Sequence, residues 1–141
     1  MANNTLAMKK LFLLTVLMTT ALVVLRAQDI STSSLSWTVT QLTDLNTNIT
    51  APYTCTFKTG GTAEILWVQK NNYTRKLEVQ HVTGTWTDVS APGQAVYSIA
   101  EDGDTGTVTF ERTSSGIYIT LNLSQGAQPR LRQKYSVAQV N

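Results

Sequence analysis

The sequence predicts an all-β domain in which about eight antiparallel strands form an up-and-down meander and close into a small barrel. Apolar and polar residues alternate with a period of two, as they do when one face of a pleated strand packs and the other meets solvent. Nineteen threonines follow residue 27, and β-branched residues favour a half-buried strand over a helix. Turn-forming pairs such as Gly60-Gly61 and Asp102-Gly103 separate the segments at hairpin spacing.

The first four predicted strands cover residues 35–42, 53–59, 63–70 and 76–86. Their apolar faces consist of Leu35, Trp37, Val39, Tyr53, Cys55, Phe57, Leu77, Val79 and His81. Residues 63–69 are apolar on both faces, which fits a strand covered on both sides or a short helix, and the shortness of the run favours a strand. The alternation slips near Thr83-Gly84, which predicts a bulge or sharp bend that helps the sheet to curl.

The last four predicted strands cover residues 95–101, 106–112, 116–123 and 130–139. Residues 95–100 leave the same choice between strand and helix as residues 63–69, and their length again favours a strand. The other three strands have apolar faces that consist of Val108, Phe110, Ile117, Ile119, Leu121, Leu123, Leu131, Tyr135 and Val137. Short turns between consecutive strands predict that each strand pairs with the next.

Strand periodicity does not count sheets, so a two-layer β-sandwich is the alternative to a barrel. A closed barrel leaves no exposed edge, and eight strands suffice to close one. The strand count and order resemble the lipocalin and avidin type of barrel, in architecture alone. The sequence lacks the glycine–tryptophan motif that opens lipocalins, because Trp37 lies between Ser36 and Thr38.

Residues 1–27 are predicted to be a cleavable signal peptide, which leaves residues 28–141 as a single β domain. Lys9 and Lys10 precede fifteen uncharged residues, a run shorter than the roughly 20 apolar residues of a membrane-spanning helix. Arg26 ends this run, and Ala27 is a small residue at the cleavage point. We therefore expect export to the periplasm or extracellular space of a bacterium, with no stable membrane span after cleavage. The alternative is an uncleaved N-terminal anchor helix.

Removal of the signal peptide changes the net charge of the chain. Residues 28–141 contain eight basic and nine acidic residues, a net charge of −1, whereas the whole chain has +2. A function in nucleic-acid binding is therefore not supported. Cys55 is the one cysteine, so no disulfide can form within the chain, and its alternation with Tyr53 and Phe57 predicts a buried side chain.

The sequence predicts no enzyme and no cofactor. His81 is the one histidine, which excludes a histidine-cluster metal site, and its alternation with the preceding apolar residues predicts that it faces inward. Nucleophile-elbow, phosphate-loop and zinc-protease motifs are absent. Glu101, Asp102 and Asp104 carry possible calcium ligands, but the incomplete loop pattern favours a solvated hairpin tip. A small hydrolase that uses His81 or a carboxyl pair is the least favoured function.

Aromatic and basic side chains are the predicted contact residues. The candidates for contact with a ligand or partner are Trp37, Trp67, His81, Trp86, Tyr97, Tyr118, Arg130, Arg132 and Lys134. The aromatic residues either fill the barrel or line an apolar cavity, and Trp86 and Tyr118 are expected to face outward because they occupy the less apolar stripe of their strands. Arg130, Arg132 and Lys134 form a basic stripe that either protects an edge strand or contacts an acidic partner, a polysaccharide or a lipid head group.

These observations predict an exported, non-enzymatic binding module that holds a small apolar ligand or docks on an envelope protein, with a glycan as a further partner class. The alternative is a structural or accessory subunit, or an inhibitor, in a cell-envelope complex. A cavity lined by tryptophan, tyrosine and His81 would favour a ligand, whereas a filled core with an exposed aromatic patch would favour a protein or glycan partner.

Overall fold

The computed structural model describes residues 29–141, and the predicted signal peptide, residues 1–27, lies outside the described residues. The chain forms eight strands: β1 (Ser34–Asp44), β2 (Ile49–Gly60), β3 (Glu64–Val68), β4 (Thr74–Thr83), β5 (Gly93–Glu101), β6 (Asp104–Thr113), β7 (Gly116–Gln125) and β8 (Gln128–Val140). Two short 3-10 helices, Ile30–Thr32 and Lys70–Asn72, precede β1 and β4. Across residues 29–141, no helix has the length and apolarity needed to cross a membrane.

The sheet is a closed barrel, because each strand pairs antiparallel with the next and β8 returns to pair with β1. The closing ladder runs from Trp37↔Val140 to Asp44↔Gln133. The predicted eight-stranded antiparallel meander that closes into a barrel is therefore confirmed, and the two-layer sandwich is excluded. Both segments that could have been helices, residues 63–69 and 95–100, contribute strands.

The tight turn between β5 and β6 illustrates why consecutive strands pair. Asp102 and Gly103 both have a positive φ, of +47° and +88°. Two consecutive residues in this region form a two-residue hairpin whose twist matches that of the flanking strands. The aspartate–glycine pair therefore sets the register of the hairpin from Glu101↔Asp104 onward.

Aromatic rings fill the interior of the barrel. The ring centroid of Phe110 on β6 is 4.8 Å from that of Trp37 and 5.4 Å from that of Tyr97. Phe57 of β2 stacks on Trp67 of β3, with centroids 5.6 Å apart and an interplanar angle of 6°. These five side chains are at most 4% exposed. Rings at such separations are in van der Waals contact, so they form the core of the domain.

The loop of residues 84–92 closes the lower end of the barrel, where β1 begins and β4 leads into β5. Trp86 of this loop is 2% exposed, and its ring centroid lies 5.7 Å from that of Trp37. Its indole N–H donates to the carbonyl oxygens of Asp88 (2.8 Å) and Ala91 (3.0 Å). The carbonyl oxygen of Trp86 accepts the N–H of Ile30 at 2.7 Å, which holds the first 3-10 helix at the same end.

The prediction that Trp86 belongs to the fourth strand and faces outward was wrong. β4 ends at Thr83, and Gly84 turns the chain with a positive φ of +92°. The chain beyond Gly84 leaves the barrel wall, so the stripes of β4 no longer determine where the Trp86 side chain lies.

The prediction that His81 faces inward was also wrong. The register between β4 and β5 shifts between Val79 and His81, whereas the bulge was expected near Thr83-Gly84. An extra residue in one strand reverses the alternation of all residues beyond it. His81 is therefore exposed, and its neighbour Val82 is half-buried.

Candidate functional site

Four of the predicted contact residues lie in the packed interior. They are Trp37, Trp67, Trp86 and Tyr97, whose exposure lies between 0% and 4%. Each of the four rings contacts another aromatic ring. The hydroxyl of Tyr97 also donates to the carbonyl oxygen of Ser31 at 3.2 Å, which ties β5 to the first 3-10 helix. These residues hold the barrel together and present no surface to a partner outside it.

Tyr118 and the basic stripe lie on the outer face of β7 and β8. The Nζ atom of Lys134 is 4.1 Å from the centroid of the Tyr118 ring, a cation–π contact. Arg130 and Arg132 are exposed on the same strand. β8 pairs with β1 only from Gln133 onward, so Lys134 lies where β8 is paired on both sides, whereas Arg130 and Arg132 precede this ladder. The interpretation of the stripe as protection for a strand edge therefore stays a prediction.

The structure does not bring His81 together with the other predicted residues. His81 lies on β4, which is four strands away from β8 in the eight-stranded barrel, so the imidazole and the basic stripe lie on opposite sides. Cys55 is 4% exposed inside the barrel, whereas His81 is exposed on the outside. The barrel wall therefore separates the thiol from the imidazole.

A surface groove of about 470 Å³ lies between β4 and the hairpin of β5 and β6. Residues 73–76 and 78 form its β4 side and residues 100–105 form its hairpin side, and we call it the β4–β5 groove. It opens because the ladder between β4 and β5 begins at the pair Glu78↔Ala100, so the preceding part of β4 separates from the hairpin. None of the predicted contact residues lines this groove.

An ion pair crosses the β4–β5 groove beyond the point where the backbone ladder stops. The guanidinium of Arg75 donates to both carboxylate oxygens of Glu101, with Nε 2.7 Å from Oε1. The side chain of Glu101 is 9% exposed and that of Arg75 is 26% exposed. The Arg75 guanidinium also lies 5.1 Å from the centroid of the Trp67 ring. The hydrogen bond to Glu101 raises the pKa of Arg75, which keeps the guanidinium charged.

The beginning of β4, before Glu78, has an unpaired backbone edge. The N–H of Val79 donates to the carbonyl oxygen of Ala63 on the β3 side at 3.0 Å, so odd-numbered residues of β4 before the bulge direct their backbone groups at β3. Thr74 and Lys76 therefore direct their N–H and C=O groups at the β4–β5 groove. No backbone partner for these groups occurs within residues 29–141.

The β4–β5 groove carries a net negative charge, because four carboxylates and two basic side chains line it. Its two cations are already engaged, because Arg75 pairs with the hairpin and Lys76 Nζ lies 2.6 Å from Oε2 of Glu64. The ion pairs found among residues 29–141 leave three carboxylates of the groove without a cationic partner: Glu78, Asp102 and Asp104. A partner that contributes positive charge would therefore be attracted to this groove.

Tyr73 stands at the rim of the β4–β5 groove and is 64% exposed. It follows Asn71 and Asn72, whose positive φ values of +63° and +60° turn the chain from β3 into β4. Sequence reasoning missed Tyr73 because the residue lies between two strands, outside the alternation. The signal that could have found it is an aromatic residue directly after two turn-forming asparagines.

Stability is expected to fall at alkaline pH because of Cys55. Burial raises the pKa of its thiol from 9.0 to about 11, so the folded chain keeps a proton that the unfolded chain releases. Through this group the free energy of unfolding should fall by about 2–3 kcal/mol between pH 9 and pH 11. Urea unfolding measures the free energy of unfolding of the wild type and of Cys55→Ala at about pH 8 and about pH 11. The difference between the two proteins should change by this amount between the two pH values. A difference that stays constant with pH would contradict the prediction.

The β4–β5 groove offers charge, backbone hydrogen bonds and an aromatic ring. Its most buried carboxylate, Glu101, is engaged by Arg75. In the part of the chain that the structure describes, no three His, Cys, Asp or Glu side chains are grouped closely enough to hold a metal ion. The charged, hydrogen-bonding and aromatic groups of the groove can make non-covalent contacts with a partner. No family model, no curated protein and no solved structure gives a significant match to this chain.

Proposed function

We propose that the domain is an exported, non-enzymatic binding module that docks on a protein of the cell envelope through the β4–β5 groove. One observation carries the proposal: the groove combines an open backbone edge, three carboxylates outside the ion pairs found among residues 29–141, and an exposed tyrosine. Each of these features leaves an interaction unmade in the free domain, and a protein partner can satisfy all three at once.

The filled interior supports a partner on the outside of the barrel over a small apolar ligand inside it. Sites for small molecules are concave and mostly apolar. Here the interior rings contact one another, and Trp86 covers the lower end. A ligand in the interior would have to displace these contacts, whereas the β4–β5 groove lies at the surface and carries an exposed tyrosine at its rim.

The positions of Cys55 and His81 support a binding role over a hydrolytic one. A nucleophile and its general base must approach within hydrogen-bond distance, about 3 Å. Cys55 lies inside the barrel, where burial raises the pKa of its thiol, and His81 lies outside. The one thiol and the one imidazole of the chain therefore cannot act together without disrupting the barrel wall.

A photocrosslinking residue at position 73 should capture the partner in intact cells that export the protein. We expect Tyr73→benzoylphenylalanine to give one dominant adduct with an envelope protein. The matched control is the same substitution at Ile49, which is 65% exposed at the start of β2 and outside the groove. This control should give no dominant adduct.

The carboxylates of the groove provide the second arm of the test. Asp102→Asn combined with Asp104→Asn should lower the adduct yield about fivefold, because exposed charge pairs each contribute roughly 0.5 kcal/mol. Asp88→Asn removes an exposed charge at the lower end and should leave the yield unchanged. Equal yields from positions 49 and 73, a yield insensitive to the two aspartates, or an adduct with a glycan would each contradict the proposal.

A further inference from the structure

We infer that the β4–β5 groove holds its partner by strand addition: an extended, basic segment of the partner protein pairs with the backbone of Thr74 and Lys76 as an additional strand. This inference rests on the proposed function and specifies how the partner is held. Strand addition draws affinity from main-chain hydrogen bonds and specificity from the side chains beside them.

The open edge of β4 provides the backbone hydrogen-bonding groups for this interaction. Thr74 and Lys76 each direct one N–H and one C=O group at the β4–β5 groove, and the ladder with β5 begins only at Glu78. On its other side the same stretch of β4 is paired with β3 from Val68↔Thr74 onward. One edge of an ordered strand is therefore held in place while the other is free, which is the geometry that an added strand requires.

The hairpin side of the β4–β5 groove provides negatively charged groups for this interaction. Asp102 and Asp104 belong to the hairpin side, and Glu78 lies at the closed end of the groove. Side chains of an extended segment alternate between its two faces, so every second residue of an added strand would lie on the outer face of the barrel, where Glu78 and Asp102 are exposed. A segment with a lysine or arginine at alternate positions would therefore meet these carboxylates while its backbone pairs with β4.

A second open edge in the barrel is less suited to strand addition. The ladder between β2 and β3 begins at Thr56↔Val68, so the part of β2 before Thr56 does not pair with β3. The groove there, of about 320 Å³, is lined by Pro52 and Lys70. Proline has no N–H to donate to a ladder, and Lys70 would repel a basic segment. The two edges therefore differ in both backbone and charge, and β4 is the one that a basic strand fits.

Three synthetic octapeptides test the inference on the purified exported protein. The first alternates lysine and threonine, the second alternates glutamate and threonine, and the third is the lysine peptide with every backbone amide N-methylated. Amide hydrogen exchange, followed by NMR, should slow at least about tenfold at Thr74 and Lys76 with the first peptide. The second peptide lacks the charge and the third lacks the N–H groups, so neither should protect these amides.

Variants of the hairpin wall complete the experiment. Asp102→Asn with Asp104→Asn should weaken binding of the lysine peptide about fivefold, and Asp88→Asn should not weaken it. Asparagine is compatible with the positive φ of +47° at position 102, so the hairpin can keep its turn. Equal binding of the N-methylated or glutamate peptide, or protection of amides away from β4, would overturn strand addition.

The peptide experiment and the crosslinking experiment fail in different ways. If position 73 captures an envelope protein but no peptide protects Thr74 and Lys76, the β4–β5 groove is the docking site and strand addition is wrong. If the lysine peptide protects these two amides but position 73 captures no envelope protein, the open edge is real and the proposed cellular function is wrong.

Discussion

Trp86→Ala is expected to lower the free energy of unfolding by about 3–5 kcal/mol, the usual cost of truncating a buried aromatic residue. The indole is 2% exposed, and it closes the lower end of the barrel against Trp37. Its N–H bonds to the carbonyl oxygens of Asp88 and Ala91 hold the loop of residues 84–92 in place. Loss of the indole removes both the packing and the anchor of this loop.

Two further variants separate these contributions. Trp86→Phe keeps most of the ring packing but removes the indole N–H, so we expect a smaller loss of about 1–2 kcal/mol. A methyl group at Gly93 would lie 2.1 Å from Cδ1 of Trp86, so Gly93→Ala should displace the indole without truncating it. Urea unfolding followed by circular dichroism measures all three variants. A loss below about 1 kcal/mol for Trp86→Ala would mean that the loop does not close the barrel.

The inward faces of the strands could be predicted because alternation is a local property of each strand. Phe57, Val108 and Ile119 each lie in an uninterrupted run, and all three are fully buried as predicted. The strand count and the short turns favoured a closed barrel, and the pairing of β8 with β1 excluded the sandwich.

The fourth strand could not be predicted correctly because the bulge lies three residues before Thr83, near which the sequence suggested it. The register shifts at Gln80, between Val79 and His81, and the chain leaves the wall after Thr83. No local signal distinguishes an extra residue within a strand from regular alternation. The orientation of every side chain beyond that point, including Trp86, therefore depended on tertiary structure.

The β4–β5 groove could not be predicted from the sequence for a related reason. Arg75 and Glu101 are 26 residues apart and lie on different predicted strands. They meet because the ladder stops at Glu78↔Ala100, and the length of a ladder is decided by where the neighbouring hairpin turns. Sequence reasoning therefore assigned the acidic residues correctly to a hairpin tip but had no reason to place an open strand edge beside them.

The Arg75–Glu101 pair is expected to contribute more to stability than its place near the surface suggests. Glu101→Ala should lower the free energy of unfolding by about 2–4 kcal/mol, because it leaves a partly buried guanidinium without its carboxylate. The arginine is only 26% exposed and cannot become fully hydrated without leaving the Trp67 ring. Glu64→Ala is the matched control: it breaks the exposed pair with Lys76 and should change stability little.

A double-mutant cycle distinguishes a coupled pair from two independent side chains. Arg75→Met alone leaves a carboxylate that is 9% exposed without a cation, so it should cost as much as Glu101→Ala. The variant that carries both substitutions has no uncompensated charge, so its loss should fall short of the sum of the single losses by about 2 kcal/mol. Losses that add without this shortfall would show that the pair does not join β4 to the hairpin. The side-chain bridge would then not be the element that holds the two walls of the β4–β5 groove together.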